Sequence, residues 1–359
     1  MPLPAWVPIR EDLRGYEPYG APQIPDVINL NVNENPYGPS AAVAADIAES
    51  VRVAATTLNR YPDREAVQLR ADLATYLGHG LTGDRVWAAN GSNEVMLHVL
   101  QAFGGPGRTA LSFAPTYSMY PEYARDTHTR WVAGQREEDF TVDVDRALAL
   151  IAAERPDVVL LTSPNNPTGT ALPLDTIRAV AEAAPGVVVV DEAYAEFRRA
   201  GTPSALDLLD EFPRLLVSRT MSKAFALAGG RLGYVAADAA IIDALRIVRL
   251  PYHLSAVTQA AAVAALRHSD ELLARVDELR ATRDELAAWL VGEGYDVAES
   301  DANFVLFGRF EDRHAIWQGL VDRGVLIRET GPDQWLRVSV GTPAEMDIFY
   351  AALKEVVAT

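Results

Sequence analysis

After Asn93 the chain alternates short, β-branched apolar runs with stretches of helical period, and this rhythm limits the possible folds more than any other feature. Residues 109–113, 157–162, 187–190, 215–218 and 232–236 read as strands, with helices over 144–153 and 174–184 between them. Runs that are apolar on both faces and spaced by helices call for a mostly parallel sheet covered on both sides. The expected class is therefore α/β: a large domain with such a sheet, joined to a smaller α+β C-terminal domain.

The flanks supply the rest of the organisation. Residues 1–39 are rich in Pro, Gly and Asn and read as an extended arm. From Ser40, a residue that can cap, Val43, Ile47 and Val51 recur at four-residue spacing. A second helix follows Tyr61-Pro62-Asp63, with Ala66, Leu69, Leu73 and Tyr76 on one face. Residues 237–248 and 256–290 read as long helices, the second interrupted near His268-Ser269. Short strands at 303–307, 325–328 and 336–340 and a helix from Pro343 complete the chain. The division expected is an arm (1–39), a large domain (40–250) and a small domain with its connecting helix (251–359).

Composition narrows the functional classes. A length of 359 residues suits about two domains. With 32 Lys+Arg against 49 Asp+Glu the net charge is −17, which opposes binding to nucleic acid or to an anionic membrane. Cysteine is absent, excluding disulfides, thiolate nucleophiles and Cys-based zinc sites. The six histidines offer no convincing metal site, and His98, His253 and His268 read as packing or solvated groups. Prolines and acids occupy the start, and no run reaches the roughly 18 apolar residues of a membrane span, so a soluble cytoplasmic protein is expected.

Several polar clusters follow the predicted strands, where open α/β sheets build ligand sites. Gly91-Ser92-Asn93-Glu94 lies directly ahead of an apolar helix over 95–103, an entry whose free N–H groups suit a phosphate, although taken alone a plain helix cap explains it better. Ser163-Pro164-Asn165-Asn166-Pro167-Thr168-Gly169 forces a sharp turn and can aim the Asn166 amide at a ligand. Asp191 ends a central strand, where a buried carboxylate needs a cation or several donors, and Tyr194 follows with a phenol. Lys223 lies among small and apolar residues, a setting that lowers a lysine pKa and frees the amine for Schiff-base chemistry. Thr220 and Arg231 flank it and can close on the same phosphate. A ligand with a phosphate, an aldehyde, a basic ring nitrogen and a ring oxygen meets all four demands, and pyridoxal 5′-phosphate has each of them.

With these motifs the chain resembles the fold-type-I pyridoxal-phosphate aminotransferases, from about Arg10 to the C-terminus. Thr220 to Gly229 matches the cofactor-lysine signature, and SPNNPTG, DEAY and the eight-residue step from Lys223 to Arg231 follow in the family's order. Asp12 to Gly15, Pro18 to Pro22, Leu30 to Tyr37 and Arg60 to Asp63 are most similar to the histidinol-phosphate branch.

The resemblance implies that Lys223 binds the aldehyde and shuttles protons, and that Asp191 pairs with the ring nitrogen. Tyr194 and Asn166 would hydrogen-bond the ring oxygen, and Tyr117 would stack on the ring. Ser92, Asn93, Thr220 and Arg231 would hold the phosphate, with Ser222 as a further ligand. Tyr61 would reach the phosphate in a neighbouring subunit, which implies a homodimer with shared active sites. Tyr19, Arg328 and Arg337 would hold the substrate's phosphate and, alternately, glutamate's carboxylates. The implied reaction is transamination of L-histidinol phosphate with 2-oxoglutarate, with ping-pong kinetics through a Schiff base on Lys223. An aromatic amino-acid aminotransferase is the nearest rival, and a threonine-phosphate decarboxylase is another. A regulatory module that binds the cofactor without turnover would need a DNA-binding domain, which the non-basic arm does not resemble.

Overall fold

Four consecutive valines, Val187 to Val190, leave a strand no polar face, so it has to be covered from both sides. In the computed structural model, which describes residues 3–358, Val187–Asp191 is buried at every position and lies centrally in a seven-stranded sheet. Met1 and Pro2 of the expected arm, and Thr359 of the expected C-terminal domain, lie outside the described residues.

The sheet runs, in spatial order, Val86–Ala89, Gly233–Ala236, Leu215–Thr220, Val187–Asp191, Val158–Thr162, Thr109–Ala114 and Arg130–Gln135. Gly233–Ala236 is antiparallel to both its neighbours, and the other pairings are parallel. Register then decides where the chemistry gathers. The parallel strands end together at Thr220, Asp191, Thr162 and Ala114. The antiparallel partner begins at that same edge, because Gly233 pairs with both Thr220 and Ala89. The segments after Ala89, Ala114, Thr162, Asp191 and Thr220, and the segment before Gly233, therefore all open onto one edge of the sheet.

Helices cover both faces, and several start where a side chain can accept from a free N–H. Ser40 caps Ala41–Ala55, Asp143 caps Val144–Glu154, Asp238 caps Ala239–Val248 and Ser255 caps Ala256–Arg267. Each such cap is worth about 1 kcal/mol. The long helical stretch breaks at His268, giving Ala256–Arg267 and Ser269–Gly292. Ala264 and Ala265 are fully buried on the first of these, which packs against Ala41–Ala55.

The C-terminal region holds an antiparallel sheet of Leu336–Ser339, Phe304–Gly308 and Asp296–Val297, together with the helices Arg313–Val321 and Pro343–Val357. The last helix starts with a reciprocal cap between Thr342 and Glu345.

The structure differs from the sequence reading at several places. The arm is not extended throughout: Glu11–Leu13 forms a 3-10 turn, and Ile28–Asn29 pairs in parallel with Val325–Leu326 of the C-terminal region. The helix expected from Val95 begins at Ser92, at the sheet edge. The strands Val86–Ala89 and Arg130–Gln135 were not expected. The first is only four residues long and ends in two alanines, and the second is an edge strand with mostly accessible positions.

Candidate active site

The edge where these strands end is the floor of a cleft of about 260 Å³. Every site residue expected from the sequence lines it except Tyr61: Tyr19, Ser92, Asn93, Tyr117, Asn166, Asp191, Tyr194, Thr220, Ser222, Lys223, Arg231, Arg328 and Arg337. Tyr61 is 79% exposed and stacks on Tyr252 with ring centroids 4.4 Å apart, outside its own chain's cleft.

One end of the cleft is built for an anion. The helix Ser92–Phe103 starts without a side-chain cap, so the N–H groups of its first turn are open to a ligand. Gly91 precedes it at φ +81°, and a Cβ there would lie 2.5 Å from an Arg231 guanidinium nitrogen. The glycine is required by the backbone and also leaves room for the cation. Arg231 donates to Ser222 Oγ at 3.3 Å, and Thr220 Oγ1 donates to the same hydroxyl at 3.0 Å. Helix end, guanidinium and two hydroxyls form a donor set suited to a phosphate.

Lys223 follows Ser222 and is partly buried. Its Nζ donates to the Val32 carbonyl at 2.8 Å. Burial, reinforced by the charges of Arg337 and Arg231 and opposed by Glu34, lowers its pKa from 10.5 to about 8. The amine is thus available for carbonyl chemistry near neutral pH.

Asp191 is 4% exposed, and burial raises its pKa from 3.8 to about 6. Its Oδ2 accepts from the Tyr120 hydroxyl at 2.9 Å and its Oδ1 from the Ala193 N–H at 3.2 Å. It has hydrogen bonds but, among the described residues, no cationic partner, and it lines the cleft. A protonated ring nitrogen would complete it. The neighbouring Glu192, pointing the other way, is 1% exposed and pairs with Arg219 at 2.7 Å, which ties the strand ends carrying Asp191 and Thr220 together beneath the cleft.

Tyr194 OH accepts from Asn33 Nδ2 at 3.0 Å and from Asn166 Nδ2 at 3.4 Å. Asn93 Oδ1 accepts from Tyr117 OH at 3.2 Å, which holds that ring over the cleft floor.

The opposite wall is cationic. Arg337 is 6% exposed, donates to Asn166 Oδ1 and to the Asn31 carbonyl, and has a buried Nε with no partner. Burial, with Arg328 nearby, lowers its pKa to about 10, so it stays charged at neutral pH. Arg328 faces it across a backbone bridge, and Tyr19 OH is hydrogen-bonded to Ser118 Oγ at 2.7 Å. The cleft therefore offers two anion sites on either side of one amine and one buried carboxylate.

Sequence reasoning missed four contributors. Tyr120 carries no motif, though it lies just after Tyr117, at the start of the helix Tyr120–Asp126. Asn31 and Val32 act through backbone carbonyls, which no side-chain pattern reveals. Asn33 lay within a matched motif but had no role assigned to it. Among the described residues, no three His, Cys, Asp or Glu side chains gather as a metal site, and no helix is long and apolar enough to cross a membrane.

Comparison with known proteins agrees with this geometry. Residues 25–353 match the family model for class I and II aminotransferases. The chain is 63% identical over 347 residues to the histidinol-phosphate aminotransferase of Thermobifida fusca, covering 97% of this chain and 95% of that one. It is 56% identical over 376 residues to the enzyme of the same name from Bifidobacterium longum, covering 99% and 97%. The crystal structure of histidinol-phosphate aminotransferase from Sinorhizobium meliloti in complex with pyridoxal-5′-phosphate superposes with a TM-score of 0.82 at 27% identity, covering 92% of this chain and 90% of that one. The chain belongs to the class I and II aminotransferases, in their histidinol-phosphate aminotransferase branch.

Proposed function

We propose that this protein transfers the amino group of L-histidinol phosphate to 2-oxoglutarate, giving imidazole-acetol phosphate and L-glutamate, with pyridoxal 5′-phosphate as cofactor. The observation that carries this reading is the pair of anion sites flanking Lys223, one at the uncapped helix end beside Arg231 and one at Arg337 and Arg328. The first suits the cofactor's phosphate, and the second suits the phosphate of the amino donor or the carboxylates of the acceptor in turn.

When bound, the cofactor supplies an aldehyde and an electron-poor ring that can delocalise the electrons of a substrate Cα–H bond. Ser92, Asn93, Thr220, Ser222 and Arg231 would hold its phosphate, and Tyr117 would cover one face of the ring. Asp191 would keep the ring nitrogen protonated, since a carboxylate buried without a cation gains most from acquiring one. Asn166 and Tyr194 would meet the ring oxygen. Lys223 Nζ, made a weakly basic amine by its burial, would take the α-proton as a base and give it up as an acid to the carbon supplied by the cofactor's aldehyde. Arg337 and Arg328 orient the substrate so that its Cα–H faces that amine. Because donor and acceptor use one cleft in succession, ping-pong kinetics follow. We further propose a homodimer, in which the exposed Tyr61 serves the cleft of a second copy.

The test offers L-histidinol phosphate and L-phenylalanine separately with 2-oxoglutarate and measures glutamate formed. The expected kcat/KM favours histidinol phosphate by on the order of 10²-fold, since its dianionic phosphate offers Arg337 and Arg328 more charge and more acceptor oxygens than the single carboxylate of phenylalanine. A preference for phenylalanine would assign the cleft to aromatic amino acids, and carbon dioxide release would point to a decarboxylase.

A further inference from the structure

Asn33 is 1% exposed and holds φ +57°, a left-handed conformation that asparagine adopts when local hydrogen bonds support it. Its N–H donates to Ser339 Oγ at 2.9 Å, and the Ser339 hydroxyl donates back to Asn33 Oδ1 at 2.9 Å. Its carbonyl accepts from Asn303 Nδ2 at 3.0 Å. The Ser339 hydroxyl has a single proton, and accepting from the backbone leaves that proton for Oδ1. With the amide reversed, the buried Ser339 proton would have no acceptor among the described residues, so the oxygen faces Ser339 and the nitrogen faces Tyr194.

Asn166 is fixed by the same logic. Its oxygen accepts from Arg337, so its nitrogen faces Tyr194. A phenol oxygen has two lone pairs and one proton. Both lone pairs of Tyr194 are taken by amide donors, and among the described residues its own proton has no acceptor. The remaining direction is the cleft that Tyr194 lines.

We infer that Asn33, locked by Ser339, is a positioning residue that keeps the Tyr194 hydroxyl a hydrogen-bond donor into the cleft, toward the oxygen of the bound cofactor ring. This rests on the proposed function, since it needs a ring oxygen at that place. Ser339 and Arg337 lie two apart on one strand, so they share a face, and Arg337 binds the Asn31 carbonyl as Ser339 binds Asn33. The strand that would grip the substrate anion therefore also holds the residue that aims the phenol.

The experiment follows the pH transition in the visible absorption of the cofactor-loaded protein. A donated hydrogen bond stabilises the deprotonated chromophore, so losing it moves the transition to higher pH. Asn33→Gly keeps the left-handed backbone while removing the amide. The expected upward shift is about half to one pH unit, the size of one hydrogen bond, and no larger than the shift in Tyr194→Phe. Ser339→Ala, which leaves Asn33 in place but frees its amide, should shift the transition in the same direction by less. In the cofactor-free protein, the ring-carbon NMR signal of Tyr194, identified by its loss in Tyr194→Phe, should move in Asn33→Gly. A transition that moves in Tyr194→Phe but not in Asn33→Gly or Ser339→Ala overturns the inference and leaves the proposed function standing. A transition unmoved even in Tyr194→Phe overturns the placement of the ring oxygen, and this inference with it.

Discussion

The hydroxyl of Tyr120 donates to Asp191 Oδ2 across 2.9 Å in the buried floor of the cleft. The bond supports the carboxylate without neutralising it, and burial still holds the Asp191 pKa up at about 6. The cofactor-free protein thus carries an unfavourable charge whose natural complement is a cation in the cleft.

Asp191→Asn should separate that penalty from its use. In cofactor-free protein the folded pKa of about 6 exceeds the ordinary 3.8. Stability therefore falls as pH rises through that window, where the unfolded chain has already released the proton. The variant should melt above wild type at pH 7.5, with the gap closing as pH drops toward 4. Turnover should fall by at least about 10²-fold, because an amide cannot hold the ring nitrogen's proton. Thermal melts at several pH values and a steady-state assay check both, and near-normal activity would contradict the role given to Asp191.

Lys223 should react with carbonyl compounds as a weakly basic amine. With a pKa of about 8, about a tenth of it is free amine at pH 7, against roughly one part in three thousand for an ordinary lysine. The rate at which cofactor-free protein takes up pyridoxal 5′-phosphate should rise with pH and level off above about 8. Stopped-flow absorbance measures this, and a rate still climbing steeply at pH 9.5 would contradict the lowered pKa.

Arg337→Gln should weaken both half-reactions. The guanidinium has a buried Nε with no protein partner, and the neutral amide cannot replace it toward an anion. A charge-assisted hydrogen bond is worth about 1.5–3 kcal/mol, so kcat/KM for histidinol phosphate and for 2-oxoglutarate should each fall about 10- to 150-fold. Arg328→Gln should have a smaller effect, since that side chain is more accessible. Equal kcat/KM in wild type and Arg337→Gln would place the substrate anion elsewhere.

Tyr61 is exposed and does not line its own cleft, so a direct contact of its hydroxyl with the cofactor would need a second copy. The protein should sediment as a dimer, and Tyr61→Phe should weaken cofactor binding several-fold with the dimer intact. Sedimentation and equilibrium dialysis test the two halves of this statement.

Much of this was legible in the sequence because the sheet's central strands are apolar on both faces and end in short polar clusters. Val187 to Val190 followed by Asp191 shows a buried strand and the group at its end in five letters. Lys223, Asn166 and Arg231 were legible because turn residues and small neighbours mark them. What stayed hidden depends on three-dimensional register. Val86–Ala89 belongs to the site only because its partner Gly233 also pairs with Thr220. Val32 acts through a carbonyl, and Tyr120 through a contact across 71 residues. The arm read only as extended because residues 28–33 take their order from strands about 300 residues away.

The most direct test of the account uses the fact that the chain has only two lysines, Lys223 and Lys354. Lys354 lies on the surface beside Glu293. Protein loaded with pyridoxal 5′-phosphate, reduced with borohydride and digested, should carry one pyridoxyl group per chain, on the peptide containing Lys223. No label, or label confined to Lys354, would contradict it.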